Sequence, residues 1–122
     1  MEKIRTHKDL EVWKVSMNFV MEIYQVTKAF PASELYGLTA QIRKAAISIP
    51  SNIAEGAARK NTKEFIQFLY ISQGSLSEIE TQLMIAERLK YINESNLLLD
   101  KIQYLRTLLS RLINPLNKKL SL

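Results

Sequence analysis

The sequence predicts an all-α protein: an antiparallel up-down-up-down left-handed four-helix bundle with its second helix kinked at Pro50. Apolar residues recur at helical spacing nearly everywhere, and no stretch alternates with period two for long enough to form a sheet. The apolar runs are long and the joints short, which sets neighbouring helices antiparallel. Core positions repeat about every 3.5 residues, the spacing of left-handed helix packing. At 122 residues the chain fits one domain, 1–122, with room for a core that needs no covalent staples.

The first helix is expected over about residues 9–29. It carries two stripes, Trp13, Met17, Val20 and Tyr24, then Phe19, Ile23, Val26 and Phe30. "FPAS" ends it, because Pro31 disfavours helix in the residue before it. The second helix, about 35–58, presents Leu38, Ile42, Ala45, Ile49, Ile53 and Ala57, with Gly37 marking a loose first turn. Asn61 and Glu64 form a capping-box pattern at the start of the third, about 62–89. Its stripe is Phe65, Leu69, Ser72, Leu76, Ile79, Leu83 and Ala86. Asn93 or Ser95 caps the fourth, about 94–113, with Leu98, Ile102, Leu105, Leu109 and Leu112; Pro115 should end or kink it.

Ile42, Ile49, Ile53 and Ala57 keep their phase across Pro50, so the second helix should bend there rather than stop. Antiparallel packing sets Pro50 level with about Ser72, and Ser48 level with Gly74. Gly74 costs about 1 kcal/mol in a helix relative to alanine, and close approach of the kinked helix would offset that. Ser48, Ser51, Ser72 and Ser75 then supply hydroxyls around the kink, with Asn52 and Glu55 pairing nearby and Glu55 also within reach of Arg59. The rival reading makes Asn52 and Glu55 a catalytic or ligand site. It lacks a second titrating partner.

Composition narrows the function classes. The chain is 47% hydrophobic and 24% charged, with three glycines and three prolines. Without cysteine there is no disulfide, thiolate metal site or cysteine nucleophile, which fits a cytoplasmic protein. "MEKIRTHKDLEVW" is too charged for a signal peptide, and no apolar run has membrane-spanning length. The lone His7, read as an exposed linker residue, cannot build a multi-histidine metal site, and Arg5 and His7 sit too close to resemble a nuclease pair. No phosphate loop or nucleophile elbow appears. The expectation is a protein that is not an enzyme and needs no cofactor.

The net charge of +5 points to an acidic partner, RNA or DNA first. Bundle topology should gather Lys3, Arg5, Lys8, Arg59, Lys60, Lys63, Arg111, Lys118 and Lys119 at one end. Glu2, Asp9, Glu11, Glu55 and Glu64 lie there too, leaving it positive, while the opposite end is near neutral. Arg43 and Lys44 form a second, smaller basic site. Such a surface tracks phosphates without reading sequence; the alternative is solvating charge matched to a helix dipole.

"DLEVWKVSMNFVMEIY", "YGLTAQIRKAAISIPSNIAEGAARK" and "KEFIQFLYISQGSLSEIETQLMIAERLKYI" together resemble a bacterial four-helix-bundle family first met as 23S ribosomal RNA intervening-sequence proteins. The specific part is "SIPSNIAEG" followed by "EFIQFLYISQGSLSE". Ala57 and Ala58 stand where members often carry an aromatic residue and a glycine. The resemblance implies a homopentamer with a central channel. In one branch it implies an accessory protein of diversity-generating retroelements that binds a reverse transcriptase and nucleic acid.

Self-association is also suggested by the residues themselves. Two stripes on the first helix exceed what one bundle buries, and Leu97, Leu99, Tyr104, Leu108 and Ile113 lie outside the fourth helix's core stripe. A broad core with a few solvated leucines is the alternative. Two functions follow: a nucleic-acid-binding oligomeric adapter, or a protein-interaction scaffold whose charge only keeps it soluble.

Overall fold

The computed structural model describes residues 6–121. The helices are α1 (Glu11–Thr27), α2 (Leu38–Ala57), α3 (Thr62–Arg88) and α4 (Asn96–Leu120), with 3-10 turns at His7–Asp9 and Ala32–Glu34. α2 packs on α1 and α3, and α4 on α3 and α1; among the described residues no close backbone approach crosses a diagonal. That is the neighbour pattern of an up-down bundle. Polar links fix the sense of each pair. On α2 and α3, Ile49 meets Ser72 and Ser48 meets Ser75. Across α3 and α4, Arg106 meets Glu80 while Asn117 meets Tyr70. Numbers rise on one helix as they fall on the other, so both pairs are antiparallel.

All four helices feed one core. Phe19, Ile23, Ile42, Ile49, Ile53, Leu69, Leu76, Ile79, Leu83, Ile102, Leu105 and Leu109 are fully buried. Each contributes about 1.5–3 kcal/mol by leaving water. Two stripes shift from expectation. On α1, Val20 is buried but Met17 is exposed; on α3, Ile66 is buried and Phe65 only partly so. Ile113, expected outside the core, lies within it.

Helix ends show how the chain is cut into these lengths. α2 begins at Leu38, later than expected, because Glu34 closes a 3-10 turn and its carboxylate accepts from the Leu38 N–H at 3.2 Å. A Cβ on Gly37 would stand 2.8 Å from that carboxylate, so glycine leaves room for the cap. Asn61 accepts from the Glu64 N–H at 2.9 Å, one half of the capping box. α3 ends in a Schellman turn: the Tyr91 N–H donates to Ala86 and the Lys90 N–H to Glu87, with Lys90 at φ 63°. Ser95 takes the cap position of α4, its hydroxyl donating to Glu87 at 3.4 Å.

The two internal prolines behave alike. α2 continues through Pro50 without interruption, with Ile49 and Ile53 in the core; a kink there is not shown. α4 does not end at Pro115 but runs on to Leu120. The carbonyl deprived of a donor by Pro115 belongs to exposed Arg111, where water can serve it, and Leu116 packs on the core beyond. Among the described residues no helix is long and apolar enough to cross a membrane.

Candidate functional site

The serine cluster forms between α2 and α3. Buried Ser72 donates to the Ile49 carbonyl at 3.0 Å, one residue before the proline. Ser48 donates to the Ala45 carbonyl at 2.7 Å and accepts a short hydrogen bond from Ser75, whose hydroxyl has the Ile71 carbonyl at 3.2 Å as its alternative acceptor. Small hydroxyl side chains thus fill the seam and satisfy their own polarity there. Asn52 and Glu55 do not pair with each other. Asn52 donates to the Ser48 carbonyl at 2.7 Å, and Glu55 bonds Arg59 at 2.9 Å.

Two predicted members lie elsewhere. Ser51 is exposed and lines a depression facing α1, on the opposite side of α2 from α3. Gly74 is exposed, and a Cβ added to it would meet nothing within 4 Å, so no helix approaches it. The close approach is at Gly56 instead. A Cβ there would lie 2.7 Å from Cβ of Phe68 and 3.0 Å from the ring of Phe65. The available signal was register: folding the chain at Asn61 sets Gly56 opposite Phe65 and Phe68, the bulkiest side chains of the first α3 turns.

The basic end is built on the α2–α3 turn. Arg59, Lys60 and Lys63 are exposed there, as is Lys8 in the turn before α1. Arg59 is partly committed: it pairs with Glu55 and lies 5.0 Å over the ring of Phe68. Lys60 and Lys63 have no ion pair among the described residues. Exposed Arg111, Lys118 and Lys119 follow the continuation of α4, which Asn117 ties to Tyr70 near the start of α3. Lys3 and Arg5 lie outside the described residues.

Arg43 is not a free cation. Its Nε donates to Thr27 at 2.8 Å, an Nη to the Tyr24 carbonyl at 3.5 Å, and the guanidinium sits 4.5 Å over the Tyr24 ring. It brackets the end of α1 to α2, leaving exposed Lys44 alone at the secondary site. His7 is half-buried, edge-on to Trp13 at 5.1 Å, not an exposed linker residue.

Among the described residues titration is perturbed in two places, neither in these clusters. The Arg106 hydrogen bond holds the Glu80 carboxyl below its ordinary value despite some burial, and Glu80 raises Arg106 in return. The Glu34 carboxylate, accepting from the Tyr91 hydroxyl at 2.8 Å, pushes that phenol up. Among the described residues no group of three or more His, Asp or Glu side chains could hold a metal ion.

A comparison with curated proteins finds no significant match. The family model of the 23S rRNA-intervening sequence protein matches residues 8–113, nearly the whole bundle including the serine seam and the α2–α3 turn. With four antiparallel helices and most of its length within that match, this chain belongs to the 23S rRNA-intervening sequence protein family.

Proposed function

We propose that the chain is a non-enzymatic, homo-oligomeric adapter that contacts RNA or DNA through its basic end. The observation that carries this reading is the exposure of Lys60 and Lys63 at the α2–α3 turn, without ion pairs among the described residues. Assembly would repeat that turn around an axis and concentrate its field. The family resemblance brings a pentamer and a reverse-transcriptase partner into the same proposal.

Contact of this kind is sequence-independent and electrostatic. Fluorescence anisotropy with a generic single-stranded RNA at several salt concentrations tests it. Affinity should fall steeply with salt, and Lys60→Glu with Lys63→Glu should weaken binding and flatten the salt slope by about one for each phosphate no longer neutralised. No binding at low salt would end the adapter reading. Binding that survives charge reversal would move the surface elsewhere.

A scaffold without a nucleic-acid role is the second reading. It is favoured by apolar side chains left in water, among them Met21 and Tyr36 on the α1–α2 side.

A further inference from the structure

Gly74 stands in the interior of α3, where glycine weakens a helix, and no neighbour comes close enough to require it: a Cβ there would meet nothing within 4 Å. What glycine leaves open is the surface one turn back. Side chains on a helix lean toward its N-terminus, so the space that a larger residue at 74 would fill lies over the turn that carries Tyr70.

Tyr70 is 49% exposed, and its ring is held in place. Its hydroxyl accepts from the Asn117 carboxamide at 3.1 Å, a contact that exists because α4 runs on past Pro115. A ring anchored in this way has little freedom left to lose when a flat group stacks on it. Lys63 precedes Tyr70 by about two turns and so shares its face of α3. Exposed Lys118 and Lys119 follow Asn117 on α4. None of these three lysines has an ion pair among the described residues.

Other exposed tyrosines lack this setting. Tyr104 donates to the Glu11 carboxylate, a negative charge that repels phosphate. Tyr36 belongs to the α1–α2 connection, at the end of α2 away from the lysines of the α2–α3 turn.

The geometry points to Tyr70 as a stacking platform for an unpaired nucleobase, bared by Gly74 and flanked by Lys63 and Lys118 for the adjoining phosphates. This rests on the nucleic-acid contact proposed above and narrows its ligand to single strands, since bases inside a duplex offer no free face to a side chain.

The test compares the parent with Tyr70→Leu, Tyr70→Phe and Gly74→Leu. Anisotropy is read with a labelled single-stranded RNA and with the same strand in a duplex, at matched salt. Tyr70→Leu should weaken single-strand binding about 5- to 100-fold, the worth of one stacked base, with the salt slope unchanged because no charge is lost. Gly74→Leu covers the ring while adding a better helix former, and should weaken it likewise. Tyr70→Phe keeps the ring and should retain most of the affinity. Duplex binding should not change in any variant. Single-strand binding that survives both leucine substitutions overturns the stacking site while leaving the electrostatic contact standing. A loss shared equally by the duplex, or Tyr70→Phe as weak as Tyr70→Leu, does the same. A parent that binds neither form overturns both readings. Circular dichroism melts confirm folding; if Tyr70→Leu fails to fold, Tyr70→Gln takes its place with the same expected outcome.

Discussion

Alanine at Gly56 and alanine at Gly74 should change stability in opposite directions. At Gly56 the new methyl meets Phe68 at 2.7 Å and the Phe65 carbonyl at 3.3 Å, backbone that cannot swing away. Overpacking of that kind costs about 1–3 kcal/mol. At Gly74 the methyl meets open space, and helix propensity alone should gain up to about 1 kcal/mol. Urea melts of both variants check the pair; equal signs would show the α2–α3 seam to be misplaced. Ser48, Ser72 and Ser75 were legible in the sequence because Ser72 interrupts a core stripe and antiparallel register sets the other two beside it near Pro50. The glycine was not, since Gly74 draws attention by breaking a long helix while Gly56 sits near a helix end where glycine is unremarkable. Only packing distinguishes them.

Helix existence and phase were legible from apolar spacing, and helix ends less so. The Asn61 cap could be read because its acceptor lies in the capping residue itself. The start of α2 could not, because its cap comes from Glu34, outside the usual capping position. Pro115 misled for a related reason: the proline rule concerns an unserved carbonyl, and at an exposed position water serves it. The end of α3 yields a prediction. Lys90 adopts the left-handed conformation at φ 63° that glycine takes without steric cost. Lys90→Gly should raise stability by about 0.5–1 kcal/mol in thermal melts, and a decrease would mean that the lysine side chain contributes more than its backbone costs.

Across the molecule, the ion pair between Glu80 and Arg106 joins α3 to α4, and its Nη2–Oε1 separation is 2.8 Å. Folded Glu80 holds its proton less tightly than in the unfolded chain, so the pair's contribution is complete above the ordinary glutamate range. It is lost as pH falls through the lowered folded value. Both side chains are roughly a third exposed, so screening limits the effect to about 1 kcal/mol or less. Stability curves of the parent and Glu80→Gln should therefore separate at neutral pH and converge in acid; a constant gap would assign the difference to packing.

The hydrogen bond between Tyr91 and Glu34 gives the bundle a further asymmetry. It clasps the α1–α2 connection to the α3–α4 connection, with Phe30 against Tyr91 beneath it. Toward the lysine-bearing end the hydrogen bonds between helices, Asn117 to Tyr70 and Tyr104 to Glu11, are longer, at 3.1 and 3.3 Å, and exposed to water. Fraying should therefore begin where the lysines are, and a partner prising helices apart would meet least resistance from that side.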